Sequence, residues 1–203
     1  DEGTPLKVFY KKGLQFASDD GDFTMGLSGY IIENVRFFTQ SSPNDNTFYN
    51  KETRLNVQGS FLKDFNYLFE LVVGPTTLMN ASYVEYEQSE HFAVRVGQWK
   101  MPFCYEFTRA NVWRDFGEQN VTSRLVPGFS TGVGVQGKFF RKTLGYELAY
   151  SNGSGKNAND ANDDKEFVGR LTASPFLNDP GSAFKNLSVF VMGSRGLEDN
   201  ATP

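Results

Sequence analysis

VRVGQWKMPFCYEFTRANVWRDFGEQNVTSRLVPG, residues Val94–Gly128, decides the reading of this chain, because alternation of apolar and polar residues runs up to it, stops inside it and resumes beyond it. Through Met101 it reads as a strand. From Pro102 to Pro127 the alternation is replaced by a long, aromatic-rich connection, and period-two patterning returns at Phe129. Such a length is uncommon for a connection in a β protein and marks a functional or a disordered segment. Here Arg109, Arg114 and Arg124 stand among buried-type side chains, Phe103, Phe107, Trp113 and Phe116, which predicts a loop folded against the rest of the protein.

On either side the chain reads as strands of roughly ten residues, the length that crosses a bilayer when tilted. Asp22 to Thr39 places Phe23, Met25, Leu27, Ile31, Val35 and Phe37 on one face and Thr24, Ser28, Asn34 and Arg36 on the other. Glu33 falls on the wrong face, so it marks a bulge, a subunit interface or a shifted register. Phe48 to Lys63, Tyr67 to Gly74, Leu78 to Gln88 and His91 to Met101 continue the pattern before the long connection. Beyond it come Phe129 to Arg141, Leu144 to Asn152, Glu166 to Ser174 and Leu187 to Ser194, which with a short first strand at Gly13 to Ser18 make about ten. Connections after the second, sixth and eighth of these are long, whereas those after the first, third, fifth and seventh are tight turns; the ninth, Pro175 to Asn186, is longer than this rule expects.

No run of eighteen apolar residues is present, which excludes a transmembrane helix but not a transmembrane β-barrel, whose strands hide their apolar residues by alternation. Short turns at one end and long loops at the other are the asymmetry of such barrels. Aromatics crowd the strand ends at Phe37, Phe38, Phe48, Tyr49, Tyr67, Tyr86 and Trp99, where a membrane-interface girdle would place them. A soluble sandwich with an ordinary core is the alternative. The N-terminal DEGTPLKVF carries no signal segment, so a secreted protein would stand here in its mature form. Net charge is -4, which argues against general nucleic-acid binding, and the single Cys104 rules out an internal disulfide framework.

Several motifs fail on context. Gly128-Phe-Ser130-Thr-Gly132 has the spacing of a nucleophile elbow, but a strand follows it and the only histidine, His91, precedes it. Gly132, Gly134 and Gly137 spell a dinucleotide fingerprint without the strand-to-helix setting that it needs, and read instead as positions where a neighbour packs close. Asp160, Asn162 and Asp164 begin an EF-hand pattern that Lys165 and Leu171 break, which leaves a solvated loop. One His and one Cys make no nitrogen-and-sulfur metal site. No nucleophile, base and orienter set survives, so neither an enzyme nor a cofactor is expected.

The basic residues form the serious constellation. Arg36, Arg54, Arg95, Lys138 and Arg170 fall on the polar faces of their strands, and the long loop adds its three arginines. Lining a lumen, they would make an electropositive path for anions, with guanidinium forks suited to phosphate oxygens. Paired with Glu52, Glu70 and Glu147 on the same faces, they would simply satisfy the interior. Both readings stand on the residues alone.

GLQFASDDGDFTMGLSGYI near the start, TRLNVQGSF, LMNASYVEYE and above all VGQWKMPF resemble the phosphate-selective porin O and P family of bacterial outer-membrane channels, over roughly Gly13 to Leu177. The resemblance implies an antiparallel transmembrane β-barrel of sixteen strands in the bacterial outer membrane, assembled as a homotrimer in lipid, with residues 102–128 folded inward as a constriction and basic side chains guiding phosphate or other small anions. Lys100 matches the motif lysine, and Arg109, Arg114 and Arg124 lie in the constricting loop. About ten strands and no terminal aromatic strand imply a longer chain to complete such a barrel. Glu106, Asp115 and Glu118 share the loop with its arginines, so selectivity does not follow from membership.

Overall fold

The computed structural model describes residues 5–38, 46–74, 78–109, 121, 125–160 and 163–196. Eleven strands follow in order: β1 (Leu6–Tyr10), β2 (Leu14–Ser18), β3 (Phe23–Arg36), β4 (Thr47–Phe61), β5 (Phe65–Val72), β6 (Leu78–Ser89), β7 (Phe92–Lys100), β8 (Phe129–Phe139), β9 (Leu144–Ser151), β10 (Glu166–Ala173) and β11 (Val189–Arg195). Each pairs antiparallel with its sequence neighbour in one open sheet, with β1 and β11 at the edges. A four-residue helix, α1 (Tyr105–Thr108), is the single α-helix among the described residues. The all-β antiparallel architecture read from the alternation is therefore present, with one strand more than ten. β1 escapes the pattern because LKVFY loses alternation after Val8 and all five of its residues are exposed; its ladder with β2 and the Lys7–Asp19 ion pair at 2.9 Å hold it.

Glu33 sits at a bulge. The register between β3 and β4 shifts between Ile32 and Glu33, leaving Lys51 as the extra residue, and Asn50 Nδ2 donates to Glu33 Oε1 at 2.7 Å. A second shift between Glu70 and Leu71 leaves Asn80 as the extra residue of β6. Bulges re-aim the side chain they carry. Here the re-aimed Asn80 is buried and reaches Glu70 on the neighbouring strand.

The two faces differ as the period-two pattern requires. One is polar and concave, lined from Arg54 on β4 to Phe190 on β11 around a cavity of about 970 Å³. The opposite face is apolar and open: Ile31, Val96, Leu148, Phe167 and Val191 are each more than half exposed. All eleven strands of the described residues lie in one sheet, and none packs as a second sheet onto that face. Turns at 19–22, 62–64, 90–91 and 140–143 keep one end of the sheet short except for the 174–188 connection, whereas 37–46, 101–128 and 152–165 elaborate the other, beside the short 11–13 and 73–77.

Candidate functional site

The site is built where β7 runs out into the long connection. Gly97 opens it with φ +135°, a backbone that L side chains rarely adopt, and a Cβ there would lie 2.2 Å from the Ser82 carbonyl oxygen. Trp99 then turns into the molecule. It is buried with Met101, Ala149 and Val168, flanked by Tyr83 and Phe103, and so does not serve in an interface girdle. Its indole lies over Gly134, where a Cβ would come within 2.9 Å of the ring; a strand glycine here makes room for an aromatic neighbour, as the reading of the glycine motif expects. The Met101 N–H donates to the Gly128 carbonyl at 2.8 Å and closes the loop at its neck.

From that neck the loop turns across the concave face. Lys100 Nζ donates to the carbonyl oxygens of Phe107 and Arg109 at 2.8 and 3.1 Å, beside the rings of Phe107 and Phe129. A cation at the end of a helical turn is well placed for those outward-pointing carbonyls. On the far side of α1, the Tyr105 ring lies 5.0 Å from that of Phe190 on β11. Arg170 on β10 donates to Thr108 Oγ1 at 3.1 Å. The described start of the loop, residues 101–109, thus bridges β7 and the β10–β11 end of the wall and folds inward, whereas Trp113 and Phe116 lie outside the described residues. The motif lysine holds loop carbonyls, a role that motif spacing alone does not disclose.

Three wall arginines pair with carboxylates. Arg54, buried, contacts Glu52 and bonds Glu70 at 2.7 Å, with Tyr30 5.6 Å from its guanidinium carbon. Arg95 bonds Glu85 at 2.6 Å and lies 4.1 Å over Tyr83, while Gln136 supplies Glu85 with a further donor at 2.6 Å. Arg170 bonds Glu147 at 2.6 Å, directly across the β9–β10 ladder. Three arginines therefore face four carboxylates. Lys138 lines the cavity, exposed, and makes no ion pair among the described residues. Arg109 also lines it, 5.6 Å over Tyr105. Arg36 stands apart at the end of β3, 4.6 Å over Tyr49. Arg114 and Arg124 lie outside the described residues.

The 152–165 connection also reaches inward. Gln98 Nε2 donates to Asn157 Oδ1 at 3.1 Å, and the Asn157 N–H donates back to Gln98 Oε1 at 2.8 Å. Gln98 is buried and bonds the Met79 and Asn80 carbonyls as well. Next along the loop, Lys156 Nζ donates to Asn80 Oδ1 at 3.2 Å and lies 5.5 Å from the Phe129 ring. These residues were not flagged by any motif, because amide-to-amide contacts leave no periodic trace. Farther on, Lys165 Nζ bonds Asp160 Oδ2 at 2.5 Å, which holds the lysine pKa above its ordinary value and puts an ammonium where the EF-hand pattern would want a cation.

The family model for phosphate-selective porin O and P matches residues 28–191. The chain belongs to that family. The matched span runs from β3 into β11 and takes in the concave wall, the Lys100 loop and the Lys156 loop of this phosphate-selective porin O and P chain. No curated protein matches it. A polar concave wall, an apolar opposite face and an inward-folded loop are what a porin needs physically: a wet passage, a surface for lipid and something to narrow the passage.

Proposed function

We propose that this porin-family chain forms part of a bacterial outer-membrane diffusion channel that passes small anions such as phosphate, without catalysis. The observation that carries the reading is the loop bridged from Lys100 to Arg170 across a concave polar wall. In this reading the apolar face of Ile31, Val96, Leu148 and Val191 meets lipid, further chain completes a sixteen-stranded barrel, three copies assemble, and residues 102–128 narrow the passage. Anion preference in such a passage has to come from lysines and loop cations more than from Arg54, Arg95 and Arg170, which already face carboxylates.

That pairing also favours a second reading, a barrel with a satisfied interior that serves as an anchor and passes little. Planar-bilayer recording of the full-length protein separates the two. Steady conductance, with a reversal potential in a potassium phosphate gradient that favours the anion, supports the channel. Absence of conductance, together with no swelling of protein-loaded liposomes in small solutes, refutes it.

A further inference from the structure

We propose that the outward face of the sheet carries a groove for a phosphorylated, acylated lipid of the outer leaflet, its acyl chain lying on Gly169 and Gly193 and its phosphate on Arg195; this rests on the reading of the apolar face as the lipid face. On that face the ladders set Val135, Leu148, Gly169 and Gly193 in one row across β8 to β11, and Val133, Tyr150, Phe167 and Arg195 in the next. The two glycines stand opposite each other, whereas the next outward pair along the same strands is Leu171 and Val191. A Cβ at Gly193 would meet nothing within 4 Å, and one at Gly169 would first meet the Leu148 Cδ2 methyl at 3.1 Å. Bare backbone therefore floors an apolar groove of about 500 Å³, a size that falls among ligand clefts of roughly 300–1,000 Å³.

Arg195 gives the groove its chemistry. It is exposed, makes no ion pair among the described residues, and pairs in register with Phe167, whose ring lies 4.6 Å from that of Tyr150. Tyr150 and Phe167 flank the 152–165 connection, so this row stands at the elaborated end of the sheet, which in an outer-membrane barrel faces the outer leaflet. A guanidinium on a lipid face is tolerated near the interface and costly at the midplane, and at the interface its fork fits phosphate oxygens. Aromatic rings beside it suit headgroup depth, and strand glycines below them let a ligand approach the backbone closely. A cation at one end and an apolar floor running away from it fit an amphiphile with a phosphate head. Free phosphate has no use for the floor, and a neutral lipid none for the cation.

The test reconstitutes the full-length protein in phosphatidylcholine vesicles doped with increasing diphosphoryl lipid A, extracts it in detergent and measures by mass spectrometry the lipid A retained per chain. Arg195→Gln is expected to weaken retention roughly threefold to fivefold, the worth of one exposed ion pair. Gly193→Val fills the floor where the fold has open space, and is expected to weaken retention at least as much while conductance stays unchanged. Ile31→Ala, on the same face but outside the groove, is expected to leave retention in place. Lipid A stripped of its phosphates is expected to bind the wild-type protein only as well as the intact lipid binds Arg195→Gln. Equal retention by wild type, Arg195→Gln and Gly193→Val overturns the proposal. So does a Gly193→Val protein that changes its oligomeric state and keeps the lipid, which makes the groove a contact between copies. A wild-type protein that enters no vesicle overturns the lipid-face reading itself.

Discussion

Replacing Arg54 with leucine removes the centre of the most buried charge cluster on the wall. The guanidinium side chain is 7% exposed and its two carboxylate partners, Glu52 and Glu70, are 12% and 16% exposed, so solvent screens the cluster little. Breaking a buried pair from one side costs about 3 to 5 kcal/mol, because the remaining charge is left without its partner. Both carboxylates keep a donor, Glu52 from Tyr30 Oη at 2.7 Å and Glu70 from Asn80 Nδ2, which places the expected loss at the low end, about 3 kcal/mol. At 1.4 kcal/mol per tenfold, that is roughly a hundredfold in the folded-to-unfolded ratio. Urea unfolding of the full-length protein in lipid vesicles, followed by tryptophan fluorescence, measures it. Arg54→Gln, Glu70→Gln and the double substitution complete a cycle in which a coupling of about 1 to 3 kcal/mol is expected. A loss below about 1 kcal/mol for Arg54→Leu, or additive single substitutions, would refute the view that this arginine is tied to its neighbours rather than presented to the passage.

Three further outcomes follow from the same geometry. Lys100→Met removes two charge-assisted bonds to the loop carbonyls, each about 1.5 to 3 kcal/mol, and is expected to speed proteolysis within residues 102–128 and to raise single-channel conductance; unchanged digestion would show that the Lys100 bonds are not what holds the loop. Leu148→Arg places a charge on the apolar face and is expected to cost about 2 to 4 kcal/mol in bilayers, while Gln58→Arg on the polar side costs far less; equal costs would remove the assignment of the faces. In the 19–22 turn, donation from Ser18 Oγ holds the Asp20 carboxyl below its ordinary value, and the Asp22 N–H donates to the same carboxylate at 2.9 Å. A depressed folded-state pKa adds stability above the unfolded value and loses it as pH falls through the folded one, so amide exchange at Asp22 is expected to accelerate only below about pH 4, and Ser18→Ala is expected to move that onset upward.

The strands were legible because each carries one wet face and one dry face, so that Leu55, Val57 and Arg54, Asn56 sort themselves without any knowledge of the neighbours. Glu33 shows the same rule working through its exception, since a charged residue out of phase is what a bulge produces. Trp99 shows where the rule stops. An aromatic at a strand end suits a lipid interface or an inner cluster equally well, and only the glycine at position 134 across the ladder, which leaves room for the indole, selects the second.

The basic constellation is harder for a related reason. Alternation assigns Arg54, Arg95 and Arg170 to the polar face, but whether a charge acts on permeating ions depends on the register that sets its partner opposite. Arg170 meets Glu147 because β9 and β10 pair them directly, and Arg54 meets Glu70 one strand away beside a bulge. Lys156 is the converse case: a loop residue with no pattern around it reaches the wall only because Asn80 accepts from its ammonium and Gln98 takes the neighbouring Asn157. In this porin-family chain the charges easiest to find in the sequence are those most fully cancelled in the fold. In the proposed channel, selectivity is therefore expected to follow cations that line the cavity without a carboxylate partner, Lys138 among them, more closely than Arg54, Arg95 and Arg170.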